Sequence, residues 1–155
     1  MHAAVREALA LLAQCGLRPG RVVLHELSGG EPEARDLSNP VAERLLAQLR
    51  PSRPAVFFVR DTRKRPAFDA EAFGTGNSRT RPLLAGTVWL TLQVRDTGIA
   101  LAHELAHVLM DSGEHVEEAG NLMRDETAPG NTRLTPAQCG RMRERGTANG
   151  WLQPM

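Results

Sequence analysis

The chain has 155 residues, of which 41% are hydrophobic and 24% are charged, so it is long enough for one domain with a hydrophobic core. Its net charge of +1 lacks the positive excess that is typical of nucleic-acid-binding domains, and no apolar run is long enough to cross a membrane. We therefore expect a single domain over residues 1–155, monomeric, without nucleic-acid binding and without a membrane span.

Four helices and three or four strands are predicted along the chain. Helical spacing of apolar residues, or a good helix start, predicts helices at 3–15, 41–49, 97–111 and 135–145. Apolar or alternating segments predict strands at 21–27, 55–60 and 87–94, with a further extended stretch around 70–73. This order corresponds to a mixed α/β layout, and no segment resembles a linker between independent domains.

The third predicted helix carries the sequence His103-Glu104-Leu105-Ala106-His107, which is an HExxH motif. Residues four apart project from the same face of a helix, so His103 and His107 can bind one ion. Glu104 lies beside them, where it can bind the water of that ion. The motif predicts a catalytic Zn²⁺ ion with Glu104 as the general base of a hydrolase.

A hydrolytic zinc site needs a third protein ligand and one open position for water. Gly113 is expected to end the helix, and His115, the only histidine beyond the motif, follows two residues later. A carboxylate ligand, as in gluzincin-type sites, remains an alternative to His115. The candidates are Glu114, Glu117 and Glu118.

The segment that follows resembles the Met-turn of the metzincin metallopeptidases, in particular the matrixins. That family carries HExxHxxGxxH and then a tight turn with a methionine beneath the metal, eight residues beyond the third histidine in matrixins. Met123, in Gly120-Asn121-Leu122-Met123, lies eight residues beyond His115. The resemblance implies that Met123 is the Met-turn residue and that the chain is a zinc endopeptidase acting on polypeptides.

A second similarity lies upstream, where Ala70, Glu71, Ala72 and Phe73 resemble the matrixin edge strand that binds an extended substrate. The implied fold is α+β and metzincin-like, with a small twisted mixed sheet of about four to five strands. An edge strand would line the cleft, and an active-site helix, the Met-turn and a C-terminal helix would complete the domain. The upper subdomain would cover about 1–113 and the lower subdomain about 114–155.

The chain also departs from that family. Between His107 and His115 there are two more residues than the family spacing contains, and Met110 takes the place of the usual glycine. Arg124-Asp125-Glu126 replaces the usual proline and tyrosine, so the wall of the specificity pocket must differ. Glu71 stands where matrixins often have a histidine for a structural zinc, so we expect one zinc ion only. A zinc-binding module without peptidase activity remains an alternative.

The two cysteines, Cys15 and Cys139, allow two interpretations. A disulfide would tie the first helix to the last and favour an oxidising compartment, whereas two separate buried thiols would not. The first residues lack the pattern of a signal peptide. The protein therefore either works where it is made or is the mature part of an exported protein, with any signal or propeptide absent from this chain. Of these, we favour an exported protein, secreted or periplasmic.

Overall fold

Four helices and four short strands form the regular structure of the residues described. The computed structural model describes residues 1–23, 36–37, 39–59, 61–62, 82–91 and 95–153. The helices are α1 (His2–Leu12), α2 (Asn39–Leu49), α3 (Thr97–Met110) and α4 (Pro136–Ala148), with 3-10 turns at Ala13–Cys15 and Pro82–Leu84. The strands are β1 (Asp36–Leu37), β2 (Ala55–Val59), β3 (Asp61–Thr62) and β4 (Thr87–Thr91). No helix in these ranges is both long enough and apolar enough to span a membrane.

The four predicted helices are confirmed, and their local sequences explain why they form. In α1, residues at helical spacing are buried, namely Ala4, Ala8 and Leu12. α4 begins with a capping box, in which the Thr135 hydroxyl accepts a hydrogen bond from the Gln138 backbone N–H at 3.2 Å. The Gln138 side chain in turn accepts from the Thr135 backbone N–H at 2.8 Å. The apolar spacing of α1 and the capping box of α4 are thus both local sequence signals.

The strands in the described part of the chain form two separate pairs instead of one sheet. β2 and β4 run parallel, with Ala55 opposite Thr87 and Val59 opposite Thr91, and β1 pairs with β3, also in parallel. The predicted metzincin-like α+β fold, with a twisted mixed sheet of four to five strands, is therefore wrong. Alternating apolar residues identify a strand but do not specify its partner, and the number of strands per sheet had been inferred from the family resemblance alone.

The remaining predicted strand segments either have no regular structure or lie outside the described residues. Residues 21–23 have no regular structure. Residues 24–27, the stretch 70–73 and the end of the predicted strand 87–94 beyond Thr91 lie outside the described residues. The strand predictions at 55–60 and 87–94 are confirmed for the parts that form β2 and β4.

The third helix is the centre of the core. Every residue of α3 from Gly98 to Met110 is buried, because α1, α4 and β4 all pack against it. At Gly146 in α4, an added Cβ would lie 2.6 Å from Leu152 and 3.3 Å from Leu109, so a residue without a side chain allows this close packing. The helix that carries the HExxH motif is thus enclosed on several sides, which limits its movement.

Cys15 and Cys139 form a disulfide that joins the end of α1 to α4, with their Cα atoms 4.8 Å apart. The neighbouring Gln14 side chain donates to the Thr132 carbonyl at 2.9 Å and accepts from the Leu134 N–H at 2.8 Å. The Arg143 guanidinium donates to the Cys15 carbonyl at 2.8 Å. Of the two interpretations of these cysteines, the structure therefore has the disulfide, and hydrogen bonds on both sides reinforce it.

Candidate metal centre

The helix α3 carries two histidines and a glutamate that are almost completely buried. The exposed fractions of His103, Glu104 and His107 are 3%, 5% and 1%. Four residues separate the two histidines, so both rings project from one face, and their Nε2 atoms lie 2.9 Å apart. A polar pair enclosed in this way requires partners for every ring nitrogen.

The end of α3 brings the third histidine to the same point. Asp111 takes the left-handed conformation, with φ +49°, and the Ser112 N–H donates to the His107 carbonyl at 3.2 Å. The chain reverses here, so that the Nε2 atom of His115 lies 3.1 Å from that of His107. Gly113 was predicted to make this reversal, but it does not have a positive φ, and Asp111 makes the turn instead.

His103, His107 and His115 form a group whose candidate ligand atoms all lie within 4.8 Å of one another. The His115 side chain is 36% exposed, so the group opens towards solvent on that side. Two nitrogens each about 2.0–2.1 Å from a tetrahedral zinc are ~3.3 Å apart. The observed separations of 2.9 and 3.1 Å are only a few tenths of an ångström shorter. The three side chains can therefore hold one metal ion.

The other ring nitrogen of each histidine has an oxygen partner. His103 Nδ1 lies 2.6 Å from the Leu122 carbonyl, and His107 Nδ1 lies 2.7 Å from the Ser112 carbonyl. A carbonyl can only accept, so both Nδ1 atoms carry the hydrogen and both Nε2 atoms carry a lone pair. Lone pairs that face each other at these distances repel, and a cation between them removes the repulsion. This arrangement is the one that metal-binding histidines ordinarily show.

Burial disfavours protonation of His103 and His107. It lowers the pKa of His103, although the hydrogen bond to the Leu122 carbonyl opposes the shift. It also lowers the pKa of His107 to about 3, and the neighbouring His103 contributes to that change. Both rings are therefore neutral near pH 7, which is the form that binds a metal ion.

Glu104 is buried, and no described residue provides a counter-charge that shifts its pKa. Its Oε2 atom is the one buried side-chain oxygen or nitrogen, in the described part of the chain, that has no hydrogen-bond partner. Burial raises the pKa of this carboxyl group to about 8. A nearby divalent cation acts in the opposite direction and stabilises the carboxylate. In an HExxH motif the water of a bound ion would supply the partner that this oxygen lacks among the described residues.

The predicted glutamate alternatives do not join the histidine group. The Glu114 carboxylate forms an ion pair with Arg141 at 3.2 Å, and the Glu118 carboxylate accepts from the Asn121 side chain at 3.2 Å. Glu117 is exposed and is not part of the group of potential ligands found in the described residues. The sequence left open whether the third ligand is an imidazole or a carboxylate. The geometry groups His115 with the two histidines of the HExxH motif.

The turn predicted to lie beneath the metal is tightly held. Met123 is completely buried, and its N–H donates to the side-chain oxygen of Asn121 at 2.9 Å. Gly120 has φ +77°, and an added Cβ would lie 2.8 Å from the Arg133 guanidinium. The Leu122 carbonyl, which binds His103, is therefore fixed by its neighbours on both sides. The role of Met123 as a Met-turn residue stays a prediction.

Sequence reasoning missed two residues that contribute to the site. Asn121 is buried and accepts a hydrogen bond from the backbone two residues on, a common arrangement for asparagine in turns. Its position directly after Gly120 was an available signal. Asp125 has its Oδ1 atom 3.3 Å from His115 Nδ1, and no local pattern indicated that contact.

The predicted substrate-binding residues, Ala70, Glu71, Ala72 and Phe73, lie outside the described residues. Comparisons of the chain with protein families, with curated proteins and with solved structures find no match.

Proposed function

We propose that this protein is a zinc-dependent endopeptidase in which His103, His107 and His115 hold the ion and Glu104 is the general base. The observation that carries the proposal is the convergence of three imidazole Nε2 atoms, two of them from an HExxH motif whose glutamate is also buried and has one carboxylate oxygen without a partner among the described residues. Three neutral imidazoles suit zinc, and three protein ligands leave one position for water or substrate. A site that served only to stabilise the fold would have no such use for Glu104.

When bound, zinc lowers the pKa of a water to about 7 and stabilises negative charge on a carbonyl oxygen. The chain itself supplies the proton transfer. The Glu104 carboxylate accepts a proton from the attacking water and delivers it to the amine nitrogen of the leaving peptide. Its enclosure between packed helices keeps bulk water away from this carboxylate, which strengthens its interactions with the reacting groups.

The substrate is proposed to be an extended polypeptide. The sequence similarity of residues 70–73 to a substrate-binding edge strand supports this part of the proposal, because such pairing binds peptide backbones. The disulfide between Cys15 and Cys139 is in keeping with an exported protein. We also propose that the protein is exported, is monomeric and is related to the metzincins.

The roles of the site residues are tested by comparing zinc content with peptidase activity. Glu104→Ala is expected to keep zinc and lose activity, whereas His103→Ala and His107→Ala are expected to lose both. Glu144→Ala, which removes an exposed carboxylate on α4, is the control and should change neither. Zinc is measured by elemental mass spectrometry and activity with a broad library of quenched fluorescent peptides. Normal proteolysis by the Glu104 variant would contradict the assignment of the base.

A second candidate function is a zinc-binding module without peptidase activity. The two-stranded sheets favour it, because the described strands do not form the larger sheet that was expected to hold a substrate. Zinc binding without turnover of any library peptide, and without labelling by a hydroxamate probe, would favour this alternative over the first.

A further inference from the structure

The three histidines of the metal centre differ in what holds their Nδ1 atoms. For His103 and His107 the partners are the backbone carbonyls of Leu122 and Ser112. A substitution at Leu122 or Ser112 would not remove these carbonyls. For His115 the partner is a side chain, the Asp125 carboxylate, at 3.3 Å. His115 is also the most exposed of the three, so less packing restrains its ring.

A short loop brings Asp125 to His115. The Val116 N–H donates to the Met123 carbonyl at 2.9 Å. This hydrogen bond closes the loop one residue after His115 and two residues before Asp125. The Arg124 N–H donates to the Asn121 carbonyl at 3.3 Å and makes the turn that continues towards Asp125. The contact therefore follows from the backbone of the loop and does not depend on a chance meeting of two long side chains.

We propose that Asp125 is a positioning residue that fixes the ring of the third ligand, an inference that rests on the proposed metal centre. By accepting the Nδ1 hydrogen of His115, the carboxylate keeps the Nε2 lone pair directed at the other two histidines. A carboxylate partner also makes the ring a stronger electron donor to a metal ion. The family resemblance implied only that Arg124-Asp125-Glu126 changes the wall of a specificity pocket, whereas the contact of Asp125 with His115 indicates a role in metal binding.

Asp125 can be replaced to test its effect on zinc binding without a large effect on folding. Its side chain is 86% exposed, and an exposed pair of this kind contributes little to folding. Replacing it should therefore leave the protein folded while it releases the His115 ring. Effects on zinc binding can then be separated from effects on stability.

The experiment measures Zn²⁺ affinity by competition with a chromophoric chelator, and the state of the His115 ring by ¹⁵N NMR of the zinc-loaded protein. Asp125→Ala should weaken Zn²⁺ binding about 10–100-fold and alter the His115 ring signals. Asp125→Asn, whose amide oxygen can still accept the hydrogen bond, should recover a large part of the affinity. Glu126→Ala, which removes the adjacent exposed carboxylate, is the control and should behave like the wild type.

Wild-type affinity and unchanged ring signals in Asp125→Ala would overturn the inference, and so would an Asp125→Asn variant as weak as Asp125→Ala. His115→Ala separates this failure from failure of the proposed function. If His115→Ala also binds Zn²⁺ normally, the metal centre itself is wrong. If only His115→Ala loses affinity, the centre stands and the role of Asp125 is refuted.

Discussion

The side-chain amides of Asn121 and Gln138 bond to each other twice, at 3.2 and 3.1 Å. Asn121 lies in the turn that precedes Met123, and Gln138 completes the capping box of α4. The pair therefore connects the start of the last helix to the Leu122 carbonyl that orients His103. Elements distant in the sequence are coupled through one buried amide.

Replacing Asn121 with alanine should reduce both stability and metal affinity. The substitution leaves the Met123 N–H and the Gln138 amide without their partner, which should lower the free energy of unfolding by about 1–3 kcal/mol. Displacement of the Leu122 carbonyl should also weaken Zn²⁺ binding. Urea titration and chelator competition measure the two effects. Gln48→Ala, which removes an exposed amide on α2, is the control, and equal behaviour of the two variants would refute this coupling.

Glu104→Gln should stabilise the metal-free protein at neutral pH and leave it unchanged in acid. The carboxyl group has an ordinary pKa of 4.5, and burial raises this to about 8 in the folded protein. Between these values the folded state retains a proton that the unfolded state loses, so the wild type loses stability as the pH rises from 4.5 through 8. The neutral glutamine avoids this loss, which reaches on the order of 3 kcal/mol at pH 7.

The measurement is the unfolding free energy of both proteins in chelator, at several pH values between 4 and 8. His103 and His107, whose pKa values are both lowered, destabilise the fold below pH 6.5, but they do so in both proteins and their effect cancels in the difference. Glu144→Gln serves as the exposed control and should show a flat difference curve. A flat curve for Glu104→Gln as well would mean that this carboxyl group has no raised pKa.

Removing the disulfide should destabilise the protein substantially. Cys15 and Cys139 are 124 residues apart, and closing so long a loop restricts the unfolded chain strongly. The double variant Cys15→Ser/Cys139→Ser should lose about 2–5 kcal/mol of unfolding free energy. Reductant provides the control, because it should lower the unfolding midpoint of the wild type and leave that of the double variant unchanged. A wild type insensitive to reductant would show that the cysteines are not paired.

Two glycines of α4 should respond to alanine in opposite directions. At Gly146 the new methyl group would overlap Leu152, so the variant should lose about 1–3 kcal/mol. At Gly140 no atom lies within 4 Å of the added Cβ, so the better helix propensity of alanine should add about 0.5–1 kcal/mol. Thermal unfolding measures both. Equal shifts of the two variants would argue against the close packing of Leu152 on α4.

The helices could be predicted from the sequence, but the arrangement of the strands could not. Helical spacing, the capping residue Thr135 and the proline after it act within a few residues, so they can be recognised without the fold. Strand pairing depends on residues far apart, as in the contact between β2 and β4. The parallel register of these strands has no local signature, and the resemblance to a known family suggested a larger sheet in its place.

In the candidate site, too, local features could be predicted from the sequence and contacts between distant segments could not. The spacing of His103 and His107 on one helix predicted their shared face. His115 could be proposed from its position, but the residue that turns the chain towards it is Asp111, an aspartate with positive φ, and not Gly113. The contacts of Asn121 with Gln138 and of Asp125 with His115 join separate segments, so only the folded chain brings them together.

The covalent bond between Cys15 and Cys139 encloses most of the chain, including all of α3. A peptidase that cuts a loop between these cysteines would leave two fragments joined as one molecule. Such nicking would cause no loss of mass on a non-reducing gel and would appear as two bands only after reduction. Cuts before residue 15 or after residue 139, by contrast, would separate a peptide on the same gel without reduction.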